Sequence, residues 1–117
     1  MKKEEMMKLQ KELTGVIANF IEKHWDNQEK VDRPKCDLKV INVSQTTIEQ
    51  DSLKQVSNLW TFEGSVFVKT TDKSEITMQS RYFIVGSASV EFYPNSYAKE
   101  VMLPEVKTIV ITQIKKL

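Results

Sequence analysis

The chain has few of the residues on which small catalytic and metal sites usually depend. Its 117 residues include one cysteine, Cys36, and one histidine, His24. A lone cysteine excludes an internal disulfide, and with a single histidine it cannot complete a typical zinc site. We therefore expect no bound metal and no cofactor. A reducing compartment suits an unpaired cysteine, so the cytoplasm is the predicted location.

An excess of charge of one sign and a long apolar run are also missing. Lysine and arginine number 17 against 16 aspartate and glutamate, and only Arg33 and Arg81 are arginines. Such a balance gives no strong field to attract a polyanion, and so few arginines supply few bidentate contacts to phosphate. No segment approaches the roughly 20 apolar residues that span a bilayer, and the charged N-terminus does not resemble a signal peptide. We expect neither a nucleic acid nor a membrane as partner.

What the chain does contain is enough apolar sequence for one core, and a clear helical period. Hydrophobic residues make up 40% and charged residues 28%, which is ordinary globular usage, and the length predicts a single domain over 1–117. Apolar and aromatic residues recur three and four positions apart near the N-terminus, and this spacing predicts an amphipathic helix over residues 3–26. Gly15 interrupts the pattern, and we expect a strand to pass close beneath it. The stripe consists of Met6, Leu9, Leu13, Val16, Ile17, Phe20 and His24.

After the helix the apolar period becomes that of strands. Segments rich in β-branched residues predict strands over 36–44 and 106–114, and two alternating runs within 59–86 predict a β-hairpin. Residues 45–58 stay open between a long loop, the frayed tips of two strands and one helical turn, and residues 97–103 are undecided. A helix followed by about four antiparallel strands that share an apolar face predicts an α+β fold, with the long helix packed across a curved sheet.

The alternation within the hairpin also predicts its register. Apolar residues occupy even positions in both runs, and because opposed residues share a face, their numbers must have an even sum. Centring the hairpin on Asp72 satisfies this condition and brings Glu63 opposite Arg81. The same register brings Lys69 opposite Glu75. Two opposite-charge pairs therefore follow from a register chosen for its apolar match.

The odd positions of the hairpin form its other face, and this face carries the leading functional hypothesis. In the predicted register the face is charged near the loop and apolar at its far end. Apolar patches on a sheet face commonly mark association surfaces, unless the segment 45–58 covers them within the chain. We therefore predict a non-enzymatic protein-binding or assembly module, such as an accessory, adaptor or inhibitor protein, that pairs with another protein or forms a homodimer. The predicted interface residues are Leu59, Thr61, Phe67, Phe83 and Val85.

The alternative is a small-molecule-binding protein or a minimal enzyme with a pocket between the helix and the sheet. Its predicted lining is His24, Trp25, Trp60 and Tyr82. His24 is the only histidine available for acid–base chemistry, but no spacing in the sequence names a residue to orient it, so we assign no catalytic residue. At the end of the predicted helix, the macrodipole favours the protonated form of His24.

The order of elements, one long helix followed by antiparallel strands, is similar to that of the cystatin-like and NTF2-like α+β rolls. The resemblance implies a fold and carries no activity. The Gln-x-Val-x-Gly pattern of the inhibitory cystatin loop does not occur in the chain, and the additional N-terminal helices of full NTF2-like chains are missing.

Overall fold

A long helix lies against one face of a mixed β-sheet. The computed structural model of the protein describes residues 2–34, 39–71, 77–94 and 102–117. Within these ranges one helix packs on one sheet of six strands, which confirms the predicted α+β class. The sheet has more strands than predicted because two short segments pair at its edges. The elements are α1 (Lys3–His24), β1 (Val31–Asp32), β2 (Lys39–Ile48), a 3₁₀ turn (Gln50–Ser52), β3 (Lys54–Val56), β4 (Leu59–Thr71), β5 (Thr77–Pro94) and β6 (Met102–Lys116).

Helix α1 follows the apolar stripe in its sequence. Leu13 and Ile17 of the stripe are fully buried, and so is Ile21, which the predicted stripe does not include. Acidic residues in the first turn and basic residues in the last turn suit the helix macrodipole. The helix ends at His24, whose carbonyl oxygen accepts a hydrogen bond from the backbone N–H of Asn27 at 2.9 Å. The described part of the chain holds no helix that combines the length and apolar character needed to cross a membrane.

Gly15 does not lie over a strand, contrary to the expectation from the sequence. The residue is exposed, and a Cβ built on it would meet no atom within 4 Å. Close approach occurs instead at two glycines of the sheet. A Cβ on Gly64 would collide with the carbonyl oxygen of Thr47. One on Gly86 would lie 2.6 Å from the carbonyl oxygen of Val110. The glycines that permit tight packing are therefore those in the strands.

The strands follow the order β1-β6-β5-β4-β2, and β3 pairs with the first residues of β4. Every described pairing is antiparallel except that of β1, which lies parallel to β6. Val31 of β1 is fully buried, and the amide of Ile109 donates to the carbonyl oxygen of Lys30 at 2.8 Å. A single apolar residue in a polar stretch produces no alternation, which is why the sequence does not predict this strand.

The central hairpin has the predicted parity but not the predicted register. Opposed residues of β4 and β5 have an even sum throughout, from Leu59 opposite Ser89 to Thr71 opposite Thr77. The centre of the hairpin lies midway between Thr71 and Thr77, two residues beyond Asp72. The loop that contains Asp72 and the predicted pairing residue Glu75 is outside the described residues.

Both predicted charge pairs are wrong in this register. Glu63 lies opposite Val85 rather than Arg81, and Lys69 lies opposite Gln79. Surface ion pairs stabilise a protein by about 1 kcal/mol at most, so they cannot fix a register against the packing of an apolar face. A displacement by an even number of residues preserves that face and changes every surface pair.

The even positions of the hairpin face the helix and form the core. These side chains pack against the helix stripe and against Val106, Ile109 and Ile111 of β6. Burial fades toward the hairpin loop, where Met78 is 45% exposed. The sequence assigns the faces of β4 and β5 correctly because their alternation is regular. Buried on this face are Trp60, Phe62, Val66, Val68, Ile84, Ala88 and Val90.

A bulge in β2 links the edge of the sheet to the helix. The register with β4 shifts between Ser44 and Thr47, and Gln45 takes a left-handed backbone conformation with φ of 46°. The backbone N–H of Thr46 donates to Oε1 of Glu22, near the end of α1, at 2.9 Å. The last turns of α1 also line a cleft with β6, which β4 and β5 separate from β2. The helix therefore reaches both β2 and β6, across the width of the sheet.

The segments that the sequence leaves open contain regular structure where they are described. β2 extends to Ile48, the 3₁₀ turn and β3 follow it, and β6 begins at Met102. The 3₁₀ turn begins at Gln50 and ends at Ser52. Residues 97–101 and the single cysteine, Cys36, lie outside the described residues.

Candidate functional site

The sheet face directed away from α1, which we call the outward face, is formed in β4 and β5 by the odd-numbered residues. All five predicted interface residues lie on it; Leu59 is 39% exposed and the other four are partly buried. Val110 of β6, opposite Ser87, is 42% exposed beside them. Val56 of β3, opposite Leu59, is 59% exposed. In the part of the chain that the structure describes, no second layer covers this face.

The predicted interface residues do not form the single apolar patch that the sequence suggests. Leu59 lies opposite Ser89, and Phe83 lies opposite Ser65. Val85 is likewise next to a charged residue rather than an apolar one. Apolar side chains therefore alternate with hydroxyls and charges across the outward face. Mixed surfaces of this kind are typical of non-obligate protein interfaces.

Arg81 binds side chains from β2 and β4 across the outward face. Its Nη1 donates to Oγ of Ser65 at 3.1 Å, and its Nη2 donates to Oε1 of Gln45 at 3.4 Å. The guanidinium carbon lies 6.0 Å from the centre of the Phe67 ring, which is the residue directly opposite. This distance is at the limit of a cation–π contact. The position of Arg81 is thus set by neutral neighbours.

Two lysines join Arg81 to form the basic end of the outward face, which consists of Lys69, Arg81 and Lys115. Lys69 lies opposite Gln79, two residues closer to the hairpin loop than the pair of Phe67 and Arg81. Lys115 of β6 lies opposite Phe83. Among the described residues none of the three cations forms an ion pair. Among the described residues, the basic end therefore groups three cations without an ion pair.

The other end of the outward face is acidic. Glu91 of β5 and Glu105 of β6 lie directly opposite each other and define this acidic end. Lys107, at a bulge of β6, places its Nζ 3.1 Å from Glu105 and 3.8 Å from Glu91. Hydrogen bonds to Tyr93 and Glu105 raise the pKa of Lys107, so it stays protonated. Counting the described residues, two carboxylates and one ammonium give this end a net negative charge.

A recess of about 320 Å³ lies where the 3₁₀ turn and β3 meet the outward face. Thr61, Glu63 and Val85 form one side of it, and Asp51 and Lys54 form the other. The Thr61 hydroxyl donates to the carbonyl oxygen of Lys54 at 3.3 Å, and internal hydrogen bonds also hold the backbone N–H of Glu63. Because the Thr61 hydroxyl and the Glu63 backbone N–H already have partners within the chain, we treat the recess as part of the outward face.

A second concave site lies between the last turns of α1 and the start of β6, where the sequence predicts a pocket. This cleft has a volume of about 410 Å³. Lys23, His24 and Lys30 supply basic groups, while Glu105 supplies a carboxylate that is paired with a lysine. The apolar walls are Val16, Phe20, Pro104 and Val106.

The structure does not bring the predicted pocket residues together. His24 lines the cleft. Trp25 is only 4% exposed, and the guanidinium carbon of Arg33 lies 4.6 Å from its ring centre. Trp60 belongs to the core, and Tyr82 is placed about 20 Å further along the strands. The prediction grouped these residues on the helix-facing side of the sheet, but they lie at different positions along the strands and so do not line one pocket.

The environment of His24 favours the neutral imidazole. Partial burial and, after it, the nearby ammonium groups of Lys30 and Lys23 lower the pKa of His24 from its ordinary value of 6.5. The ring packs against Phe20, with the ring centres 4.6 Å apart. Burial and the two lysines thus outweigh the helix macrodipole, which led us to expect a charged histidine.

The sequence pattern alone does not reveal the two charged ends of the outward face. Glu91 continues the odd alternation of the hairpin, so the pattern alone places it on the outward face. Glu105 and Lys115 lie on β6, whose register shifts between Val85 and Gly86 and again after Ser89. No local signal in the sequence announces these irregularities, and without them the faces of β6 cannot be assigned.

Comparisons of the chain with protein families, with curated proteins and with solved structures found no match. The likeness to the cystatin-like and NTF2-like rolls therefore stays a prediction from the order of elements. The outward face and the cleft are therefore the two features of the described chain that bear on its function.

Proposed function

We propose that the chain is a non-enzymatic protein-binding or assembly module, an accessory, adaptor or inhibitor protein that acts through its outward face in the cytoplasm. The observation that carries this proposal is a broad sheet face with apolar side chains and, within the described ranges, no covering layer. Phe67, Phe83 and Val85 are partly buried on this face. A sheet face that contacts only water is expected to carry mainly polar residues instead.

The exposed apolar area of the outward face limits the binding free energy that a partner can gain. Leu59 and Val110 are 39% and 42% exposed, so covering each of them contributes on the order of 1 kcal/mol. Association costs several kcal/mol in lost translational and rotational freedom. A single residue cannot meet that cost, and the partner must therefore cover much of the face.

The charged residues of the outward face suit recognition. Hydrogen bonds to Ser65 and Gln45 fix Arg81, and two glutamates hold Lys107. Fixed charges lose little side-chain freedom on binding, and they reject partners that present the same sign. These groups would select a partner and set its orientation.

Phe83→Glu tests the proposed function. Phe83 lies opposite Lys115, so a glutamate there gains an oppositely charged cross-strand neighbour and the fold should persist. We expect roughly a tenfold or greater loss of affinity, measured as self-association by sedimentation and as capture of a partner from the native host.

Met7→Glu is the matched control, because Met7 is a large apolar residue that is 50% exposed on α1. It should leave both measurements unchanged. If Phe83→Glu also leaves self-association and partner capture unchanged, the outward face is not the binding surface and the proposal fails.

A second candidate function, small-molecule binding, is favoured by the cleft beside His24. Its volume of about 410 Å³ falls within the roughly 300–1,000 Å³ that is usual for ligand pockets. The ammonium groups of Lys23 and Lys30 would attract an anion, and the apolar walls would accept an aromatic or aliphatic body. A small carboxylate with an apolar ring is the ligand class that fits.

Benzoate is a suitable probe for the cleft. Millimolar benzoate should shift the ring resonances of His24 in NMR spectra, and the double variant Lys23→Glu/Lys30→Glu should abolish the shift. Lys8→Glu, an exposed helix lysine away from the cleft lining, is the control. If benzoate leaves the His24 resonances in place, the cleft does not bind this class.

A further inference from the structure

We infer that the partner of the outward face is a second copy of this chain, packed face to face with its strands antiparallel, so that the basic end of each copy lies over the acidic end of the other. The inference rests on the proposed function and names its partner. Three observations carry it: the charge gradient along the face, the sizes of the side chains at its centre, and its area.

The outward face changes sign along its strands. On β5 the basic end is marked by Arg81 and the acidic end by Glu91, ten residues further along and therefore about 33 Å away. The midpoint of this span falls between Val85 and Ser87. A surface with opposite charges at its two ends is complementary to itself when one copy is reversed.

Symmetry leaves two ways to stack this face on itself with aligned strands. A two-fold axis along the strands places each charged end over its own copy, and such like-charge contacts cost several kcal/mol. A two-fold axis in the interface plane but across the strands reverses their direction and sets Arg81 over Glu91 of the second copy. Electrostatics therefore selects the antiparallel arrangement.

The same arrangement matches large side chains with small ones. With the axis between Val85 and Ser87, the side chain of Val85 meets Ser87 of the second copy. Phe83 then meets Ser89. Small hydroxyl residues therefore face the bulky residues that stand out from the sheet, which lets two sheets approach to the usual spacing of about 10 Å. The parallel arrangement would instead place the Phe83 ring over Phe83 of the second copy and each serine over its own counterpart, so that large side chains collide and small ones leave gaps.

The area suits a reversible dimer. The strands β4, β5 and β6, with β2 beside one end of β4 and β3 beside the other, make the face at most about 19 Å wide at the usual strand spacing, and the span from Arg81 to Glu91 is about 33 Å. Pairing would bury at most about 600 Å² per copy, which is at the lower end for specific interfaces. A dimer that dissociates in the micromolar range is the expected result.

Charge reversal tests the arrangement. Arg81→Glu and Glu91→Lys should each weaken dimerisation roughly tenfold or more at low salt, because each creates two like-charge contacts per dimer. The double variant Arg81→Glu/Glu91→Lys should restore the dimer to near the wild-type dissociation constant. Rescue also excludes misfolding as the cause, since the double variant carries both changes. Lys8→Glu is the control for net charge, and sedimentation velocity is the measurement.

Each result separates this inference from the proposed function. A chain that stays monomeric at hundreds of micromolar overturns the self-pairing, although loss of host-partner capture in Phe83→Glu would still support the outward face as a binding surface. A dimer that Phe83→Glu dissociates but the double reversal does not restore overturns the antiparallel arrangement. If Phe83→Glu leaves both the dimer and the capture of a host partner intact, both proposals are overturned.

Discussion

Single residues show where space, rather than residue type, decides the outcome of a substitution. Gly15 sits in α1 with open surroundings, so Gly15→Ala adds a methyl group that meets nothing and removes the entropic cost of a helical glycine. We expect the free energy of unfolding to rise by about 1 kcal/mol, measured by urea denaturation. A loss of stability would mean that a neighbouring segment does approach this residue.

Gly64→Ala makes the opposite prediction from the same chemical change. The added methyl would collide with the carbonyl oxygen of Thr47 in the paired strand β2, and backbone in a ladder cannot move aside easily. We expect the free energy of unfolding to fall by about 1–3 kcal/mol. Gly15→Ala is the internal control for the denaturation assay, and equal stabilities of the two variants would contradict the packing at the bulge.

His24 links stability to pH. Because its pKa is lowered in the folded chain, the unfolded chain takes up a proton first as the pH falls below about 6.5. The free energy of unfolding should therefore decline as the pH falls through 6.5 toward the lowered value, and level off below it. His24→Gln should remove this part of the pH dependence. Denaturation curves between about pH 7.5 and pH 5.5 measure it, and identical slopes in both proteins would contradict the prediction.

The residue scale also shows what the sequence can and cannot predict. Alternation assigned Phe62, Val66 and Ile84 to the core and Phe83 to the outward face, since side chains on a strand have only two directions. It could not say what surrounds a residue. The open space at Gly15 and the lysines near His24 depend on how distant segments pack, and no local pattern encodes that.

At the scale of elements, the hairpin shows that the sequence predicts which face each strand residue occupies but not which residues pair across the strands. Parity is fixed by burial, because a slip of one residue would turn the whole apolar set toward water. Register is not fixed in this way, and a displacement by an even number of residues still opposes Val66 to an apolar partner, Tyr82. The predicted pair Glu63 with Arg81 was a coincidence of charge spacing. The bulges of β2 and β6 likewise shift the pairing of these strands and leave no clear mark in the sequence.

The hydrogen bond between α1 and the β2 bulge is an element-scale contact that can be tested. Glu22→Ala removes the acceptor for the backbone N–H of Thr46, and we expect a loss of about 0.5–1 kcal/mol in stability. Amide exchange of Thr46, followed by NMR, should speed up selectively. Glu12→Ala, an exposed glutamate on the same helix, is the control. Unchanged exchange at Thr46 would show that the helix does not hold the bulge.

At the scale of the whole molecule, the sheet is longer than the helix that covers it. The molecule measures 55 × 25 × 22 Å. Helix α1, with 22 residues, is about 33 Å long, whereas β5, with 18 residues, reaches about 55 Å and so runs nearly the whole length of the molecule. The helix therefore supports only part of the sheet from the inner side. The long outward face has no covering layer in the described ranges, and a second copy on it would turn a two-layer molecule into a four-layer one.

A dimer formed through the outward face makes stability depend on protein concentration. Binding of the folded chain to its copy stabilises the folded state by mass action, while the unfolded chain gains nothing. Each tenfold rise in concentration above the dissociation constant should raise the Tm by about 2–4 °C for a chain of this size. Calorimetry or circular dichroism across the micromolar range measures the slope. Phe83→Glu should abolish the slope and Met7→Glu should keep it, whereas a concentration-independent Tm in the wild type would contradict self-association.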